Sequence, residues 1–193
     1  MEESSRAAAE TSIRVFAAMP APEEAVRLVE TLSQQIQYRG WKWMRPHNLH
    51  LTTYFIGNIP VEALPEIGKA IGEASVDVKA FEIFSEGLVP MPSRRPRMLW
   101  WRFARCKEFS ALHEALKKAC EPFVRTKDRT PQDPWPHITL ARFHGCKITV
   151  LPSLDITPSL TKLCVREFQI WQSVLLNGRT DYTVTPWHYT LSQ

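Results

Sequence analysis

The sequence predicts an α+β fold with antiparallel sheets, and three observations support it. Candidate strands are often adjacent along the chain and separated by turns, as in hairpins. No GxGxxG or Walker A loop is present, which argues against the nucleotide-binding folds that depend on one. A tetrapeptide beginning with histidine occurs twice, each time at the start of a predicted strand. We therefore expect two similar lobes that face each other.

The chain is predicted to open with a strand and an amphipathic helix. Residues 13–19 form a short apolar run that prolines terminate. In residues 23–37 apolar side chains recur at helical spacing, and Gly40 closes the helix. Residues 50–56 are β-branched and aromatic and stop at Gly57, which predicts a second strand. Residues 61–74 carry another apolar helical stripe.

The second half is predicted to repeat strands and a helix. A turn rich in proline and arginine separates two strands, and a helix and a third strand follow, at 81–89, 98–103, 108–120 and 137–143. Two late strands, 163–175 (bent) and 182–191, are joined by the turn Asn177-Gly178. The segment 147–161 carries two prolines and departs from a clean helical pattern.

Composition indicates one globular domain, 1–193, with a disordered start at 1–11. Of the 193 residues, 44% are apolar and 23% charged, and the net charge of +4 suits an anionic ligand without requiring one. The four cysteines form no CxxC motif, so we expect free thiols. No apolar run resembles a signal peptide or approaches the roughly 18 residues of a spanning helix. We expect a cytoplasmic monomer that binds no membrane.

The paired tetrapeptides, His50-Leu51-Thr52-Thr53 and His137-Ile138-Thr139-Leu140, are the candidate active site. In a strand, residues i and i+2 share a face, so each histidine points the same way as its threonine. Two strands facing across a cleft would bring two imidazoles and two hydroxyls together. Histidine can donate or accept a proton near neutral pH, and threonine hydroxyls can bind phosphate oxygens. This chemistry suits displacement at a phosphodiester and needs no metal or cofactor.

Other residues are candidate substrate contacts. Arg142 lies five residues after His137, and strict alternation would place it on the opposite face unless a bulge intervenes. Residues 93–102 interleave basic and aromatic side chains, and Trp101 is the tryptophan predicted to reach the cleft. Tyr54 is predicted to contact the substrate as well.

The remaining histidines give no metal motif. His47 and His50 are three residues apart and would point to opposite faces of an extended segment. No HExxH motif or carboxylate cluster supports a zinc site beside them. His144 is predicted to lie in a loop, and His113 and His188 have no predicted partner.

With these motifs, the sequence resembles the 2H phosphoesterases, and among them the RNA 2′,3′-cyclic phosphodiesterases also called 2′-5′ RNA ligases. The resemblance runs through four segments: 14–18, 43–57, 95–100 and 136–142. The family usually has Glu at the position of His47 and an aliphatic residue at that of Thr53. The resemblance implies a bilobal fold with pseudo-twofold symmetry, with two antiparallel sheets facing across a central cleft and helices on the outer faces.

The resemblance also implies a reaction, the hydrolysis of RNA or nucleoside 2′,3′-cyclic phosphates to 2′-phosphates. By similarity, His50 would be the general acid and His137 the general base, while Thr52, Thr139 and Arg142 would hold the phosphate. Weak reverse ligation through a 2′-5′ bond would follow from microscopic reversibility. Two alternatives remain open from the sequence: a non-catalytic nucleotide- or RNA-binding module, and a diesterase for another small cyclic phosphate such as ADP-ribose cyclic phosphate.

Overall fold

The computed structural model describes residues 11–36, 40–124, 134–143 and 157–193, and these residues are organised around one antiparallel sheet. The strands within them are β1 Ser12–Pro20, β2 Trp41–Trp43, β3 His50–Pro60, β4 Phe81–Met91, β5 Met98–Phe103, β6 His137–Phe143, β7 Lys162–Val165, β8 Glu167–Leu176 and β9 Arg179–Thr190. The helices are α1 Glu23–Gln35, α2 Leu64–Ser75 and α3 Lys107–Cys120, with short 3₁₀ turns at Pro46–Asn48, Val61–Ala63 and Glu121–Phe123.

The sheet consists of two halves joined at one point. Its order is β7-β4-β5-β6-β3-β1-β8-β9, and β2 pairs with β6 beside this path. The join is between β3 and β6, which pair antiparallel only at Leu51 and Ile138. The prediction of an antiparallel α+β fold is confirmed. The two predicted sheets are the halves of one curled sheet, meeting at the two strands that carry the repeated tetrapeptides.

Helices α1 and α3 pack across the two halves of the sheet. Helix α1 follows β1 of one half but packs against β6 of the other, and α3 follows β5 but packs against β3. Their apolar stripes are buried, with Leu32 on α1 and Leu112 and Leu116 on α3 fully inaccessible to solvent. Burying each such side chain stabilises the fold by roughly 1.5–3 kcal/mol. Helices α1 and α3 therefore each link one half of the sheet to the other.

Two strand predictions differ from the structure. The single bent strand predicted at 163–175 is two strands interrupted at Arg166, because β7 pairs with β4 in one half and β8 pairs with β1 in the other. The strand from residue 50 does not stop at Gly57 but continues to Pro60. Gly57 adopts a φ of 101°, which glycine tolerates, beside an irregularity in the pairing with β1.

Several smaller predictions can be compared with the structure. The Asn177-Gly178 turn is confirmed, with φ angles of 51° and 73° as a type I′ hairpin turn requires. Cys106, Cys120 and Cys164 are free thiols. The predictions for residues 1–10, for Cys146 and for most of 147–161, together with the loop position of His144, concern residues outside those described. Within the described ranges, no helix is long and apolar enough to cross a membrane.

The contact between α2 and β9 yields a stability prediction. Gly68 lies against the indole ring of Trp187, so closely that a Cβ at position 68 would overlap the ring, and the Tyr189 hydroxyl donates to the Gly68 carbonyl oxygen at 2.8 Å. We expect Gly68→Ala to lower the free energy of unfolding by about 1–3 kcal/mol, because the ring or the helix must shift. Urea unfolding measures this change.

Gly72→Ala is the matched control on the same helix. A Cβ there would meet the Tyr189 ring at 3.4 Å, an ordinary contact, and alanine favours the helix over glycine by roughly 0.5–1 kcal/mol. Gly72→Ala should therefore be neutral or stabilising. Equal losses in the two variants would contradict the role assigned to Trp187.

Candidate active site

The open face of the join between β3 and β6 forms a cleft of about 780 Å³. Both halves of the sheet contribute to its lining, and all four predicted residues of the tetrapeptides belong to it: His50, Thr52, His137 and Thr139. Leu51 and Ile138, the paired residues of the join, are fully buried on the opposite face. The structure thus brings the two motifs together.

The register of the join arranges the motifs crosswise. Leu51 pairs with Ile138 in an antiparallel sense. Continued by one residue in each direction, that register sets His50 across from Thr139, and Thr52 across from His137, on the cleft face. Each imidazole therefore faces the hydroxyl of the other motif, and a group bound between the strands is approached by one histidine from each half.

Both imidazoles are held by the same backbone interaction. Nδ1 of His50 lies 2.7 Å from the carbonyl oxygen of Asn48, and Nδ1 of His137 lies 2.7 Å from that of Trp135. A carbonyl oxygen only accepts, so Nδ1 carries the hydrogen in both rings. In the neutral rings Nε2 is then the unprotonated nitrogen, available to take a proton in the cleft.

The aromatic surroundings of the two imidazoles differ. His50 packs among three rings, with centroid distances of 4.9 Å to Phe16, 5.4 Å to Trp171 and 5.0 Å to Tyr182. His137 instead stacks on one indole, that of Trp100, at 3.6 Å between centroids and 18° between planes. These contacts fix the ring orientations and cover part of each imidazole.

Burial lowers the pKa of both histidines. It brings the pKa of His50 to about 4, and the positive charges of His137 and Arg142 act in the same direction. The pKa of His137 is also lowered, first by burial and then by Arg142. Hydrogen bonds to the backbone carbonyls oppose these shifts but do not cancel them. Both imidazoles are therefore mainly neutral at pH 7 in the free protein.

A bulge in β6 brings Arg142 into the cleft. Leu99 pairs with Ala141 and Trp100 with Thr139, so Leu140 is an extra residue on β6. Leu140 and Ala141 are both buried, and the alternation resumes with Arg142 on the side of His137. The structure therefore contains the bulge that Arg142 needs in order to lie on the same face as His137.

The first motif contains an equivalent bulge. Ala17 pairs with Tyr54 and Ala18 with Thr52, which leaves Thr53 as the extra residue on β3. Thr53 and Tyr54 are both buried, and Phe55 returns to the cleft. Phe55 thus takes, five residues after His50, the place that Arg142 takes after His137.

The backbone carbonyl oxygen of each extra residue accepts a hydrogen bond from a residue outside β3 and β6. The Nδ1–H of His113, from α3, donates to the carbonyl oxygen of Thr53 at 2.9 Å. The backbone N–H of Met44 donates to the carbonyl oxygen of Leu140, also at 2.9 Å. Buried carbonyls without a donor destabilise a fold, so these two hydrogen bonds hold the bulges in place.

The turn before His50 is anchored to the β8–β9 hairpin. Asn48 is buried, and its side-chain oxygen accepts from the backbone N–H of Tyr182 at 3.1 Å. Asp181 binds His47 at 2.9 Å and Arg45 at 3.3 Å. Hydrogen bonds from Asn48 and then His47 lower the pKa of the Asp181 carboxyl. His47 therefore has a carboxylate partner, and the described residues contain no cluster of potential metal ligands.

The structure does not bring two of the predicted substrate contacts to the cleft. Tyr54 is buried beneath the sheet against His113, because the bulge at Thr53 turns it away from the cleft. Trp101 is fully buried, and its indole N–H donates to the Ser85 hydroxyl at 2.8 Å. The neighbouring Trp100 is the tryptophan that lines the cleft.

Sequence reasoning missed several cleft residues on the first strand and the last hairpin. Arg14 and Phe16 lie on the cleft face of β1, while Val15 between them and Ala17 after Phe16 are fully buried. In a strand predicted at 13–19, alternation is the sequence signal that could have identified Arg14 and Phe16 as residues of the solvent-facing side. Tyr182 and Arg179 carried no comparable signal, since their position depends on β8 pairing with β1.

Comparisons with known proteins agree with this architecture. The family model described as LigT-like phosphoesterase matches residues 16–101. The RNA 2′,3′-cyclic phosphodiesterase of Thermus thermophilus is 35% identical over 136 residues, covering 67% of this chain and 68% of that protein. The Archaeoglobus fulgidus protein of the same name is 25% identical over 167 residues, covering 84% and 92%.

The fold of this chain also matches that of a solved structure. The crystal structure of Escherichia coli LigT in apo form superposes with a TM-score of 0.74 at 21% identity, over 94% of this chain and 99% of that one. Fold and paired histidine motifs together define a phosphoesterase of the two-histidine class. The chain belongs to the LigT-like phosphoesterase family.

The buried imidazoles lead to a titration prediction. NMR titration of the free protein should give His50 a pKa of about 4 and His137 a pKa below the ordinary value near 6.5. Arg142→Gln should raise both, because it removes a positive charge that disfavours the imidazolium forms.

The same shifts fix the pH dependence of stability. The unfolded chain binds protons at these histidines more tightly than the folded protein does. The free energy of unfolding should therefore decrease as the pH falls from about 6.5 towards 4. A His50 resonance that titrates near 6.5 would contradict the burial described for this ring.

Proposed function

We propose that this protein hydrolyses RNA or nucleoside 2′,3′-cyclic phosphates to 2′-phosphates by general acid–base catalysis, without a metal. The observation that carries the proposal is the crosswise pair of motifs, in which both imidazoles are tied through Nδ1 and free at Nε2. The relatives from Thermus and Archaeoglobus, both named RNA 2′,3′-cyclic phosphodiesterase, support the choice of substrate.

The histidines have opposite roles in this proposal. Nε2 of His137 takes a proton from water, whose oxygen attacks phosphorus and forms the new P–O bond. The bond from phosphorus to the 3′ oxygen breaks, and the Nε2–H of protonated His50 supplies the proton to that oxygen. In-line displacement needs base and acid on opposite sides of phosphorus. Histidines from opposite halves of the sheet meet this need.

The lowered pKa of His50 requires that substrate binding creates the acid. In the free protein burial keeps His50 neutral. A cyclic phosphate brings a negative charge beside the imidazole and offsets the field of Arg142, so the pKa of His50 rises in the complex. The general acid therefore forms when the cleft is occupied.

Thr52, Thr139 and Arg142 are proposed to hold the non-bridging phosphate oxygens. The two threonines lie on the cleft face of both motifs, and Arg142 is presented by the β6 bulge. Donors carried by strands of the sheet need little rearrangement when substrate binds, which favours stabilisation of charge in the transition state.

Reverse ligation of a cyclic phosphate end to a 5′-hydroxyl uses the same groups by microscopic reversibility. It is expected to be weak, because water competes in large excess. No observation on the described cleft favours a non-catalytic binding module, since both motifs are intact. ADP-ribose cyclic phosphate belongs in the substrate panel because its chemistry at phosphorus is the same.

The roles of the two histidines are tested by substitution. His50→Ala and His137→Ala should each lower kcat on adenosine 2′,3′-cyclic phosphate by about 10²–10⁴-fold, the usual contribution of a general acid or base. His188→Ala is the matched control, because His188 is an exposed histidine that contacts Glu167 outside the cleft lining.

The control variant, treatment with EDTA and the two alanine variants each test this proposal. The control variant should keep native activity, and EDTA should leave the native rate unchanged. Near-native turnover by either His50→Ala or His137→Ala would show that the ring does not transfer a proton. Loss of activity in EDTA would exclude the metal-independent mechanism.

The bulge at Thr53 gives a prediction for His113, a positioning residue. His113→Leu removes the donor to the Thr53 carbonyl oxygen and should displace the adjacent Thr52. Small misplacements in active sites lower rates by up to about 10²-fold, so we expect kcat to fall about 10–10²-fold. His113→Asn, which retains an N–H donor, should recover part of this loss.

Circular dichroism and a urea titration would establish that both His113 variants are folded. A purely structural role predicts equal kcat for the folded leucine and asparagine variants. That equality would contradict the assignment of His113 to positioning.

A further inference from the structure

The cleft is lined by more positive charge than one reacting phosphate requires. Its lining contains five basic side chains: Arg14, Lys42, Arg45, Arg142 and Arg179. Of these five, only Arg45 has a carboxylate partner among the described residues, Asp181. A 2′,3′-cyclic phosphate is a diester with a single negative charge, so it leaves most of these cations without a counter-ion.

The cations lie in two groups. Arg142 lines the cleft together with both imidazoles, and its charge lowers the pKa of each. Lys42 on β2 pairs in register with Arg142 on β6. These two lie in the half of the sheet that contains His137. Arg14 and Arg179 belong to β1 and β9, in the half that contains His50.

Arg14 lies farther from the join between β3 and β6 than His50 does. It is two residues from Phe16 on β1, which corresponds to about 7 Å along a strand, and Phe16 is the ring that packs on His50. The Arg14 guanidinium lies 4.8 Å from the centroid of Phe55, which orients its planar donor face. Ser173 is its direct neighbour on β8 and also lines the cleft.

Arg179 lies in the same half of the sheet and is the first residue of β9, directly after the turn of the β8–β9 hairpin. It follows Gly178, and Gly178 and Thr180 also line the cleft. The hairpin is tied to the turn before His50 through Tyr182 and Asn48, so its position relative to the imidazole is fixed. Two arginines, a hydroxyl and a turn thus line the cleft in the half of the sheet that contains His50.

We propose that Arg14 and Arg179 form a second phosphate site, which binds the phosphate on the 5′ side of the nucleotide that bears the cyclic phosphate. This inference rests on the proposed function and specifies its substrate as one with two phosphates. Arginine is suited to this role because its fork of donors binds phosphate oxygens in pairs. Phe16 and Tyr182 line the cleft between the two phosphate positions and offer apolar surface to the intervening nucleoside.

Three substrates test the proposal. Adenosine 2′,3′-cyclic phosphate has no second phosphate. Its 5′-phosphate carries a terminal one, and the dinucleotide ApA 2′,3′-cyclic phosphate carries a phosphodiester at the same position. A charge-assisted hydrogen bond corresponds to about tenfold in affinity or more, so we expect kcat/KM to be at least about tenfold higher for a substrate with the second phosphate.

Comparison of the last two substrates identifies the source of that phosphate. A preference for the dinucleotide alone assigns the site to the phosphodiester of an RNA chain. A preference shared by the 5′-phosphate assigns it to any nucleotide phosphate. Either result supports the second site.

Arg14→Gln and Arg179→Gln should reduce the ratio of kcat/KM between the two-phosphate substrate and adenosine 2′,3′-cyclic phosphate towards one. Arg27→Gln is the matched control, because Arg27 is an exposed arginine on α1 paired with Glu23 and Glu24. It should leave the ratio unchanged. The native preference should also weaken with salt, with a log–log slope about 0.7 steeper for one additional phosphate contact, and the glutamine variants should lose that difference.

Failure of this proposal is distinguishable from failure of the proposed function. Equal kcat/KM on all three substrates would overturn the second phosphate site and leave the hydrolysis proposal standing. A native preference that survives in Arg14→Gln and Arg179→Gln would also overturn it. If the native protein hydrolyses none of the three, the proposed function is wrong, and the second site falls with it.

Discussion

The single antiparallel pair between Leu51 and Ile138 is the constraint on which the site depends. It joins the two halves of the sheet on the buried face, and on the other face it sets each histidine across from the threonine of the opposite strand. Because β3 and β6 pair nowhere else, the halves diverge from this point and leave a cleft between them. Helices α1 and α3, each packed on the opposite half, add further contacts between the two halves beside this narrow join.

The bulges at Thr53 and Leu140 explain how the two halves can be related and yet differ chemically. Each adds one residue after its motif and returns the fifth residue after the histidine to the cleft. In one half that residue is Phe55, and in the other it is Arg142. The bulges are held by different donors, the His113 side chain and the Met44 backbone. A common backbone device thus presents an aromatic ring to the cleft in one half and a positive charge to the cleft in the other.

Much of the fold and the centre of the site could be predicted because they depend on local pattern. Strand and helix periodicity identified most elements, and the repeated motif identified the four residues that meet in the cleft. Alternation failed where a bulge interrupts it, which is why Tyr54 is buried against expectation. Local sequence could not decide which of two adjacent tryptophans faces the cleft, since that follows from Trp100 pairing with Thr139. Arg179 enters the cleft only through long-range pairing.

The electrostatics of the cleft link substrate binding to the proposed proton transfer. Burial and nearby positive charge lower the pKa of both imidazoles, so the free protein contains two bases and no acid at neutral pH. The same positive charge attracts a phosphate, and a bound phosphate compensates it. His50 packs among three aromatic rings, and their apolar surface weakens the screening of a substrate charge at this imidazole. A bound anion therefore raises the proton affinity of His50, which is the response required of the proposed general acid.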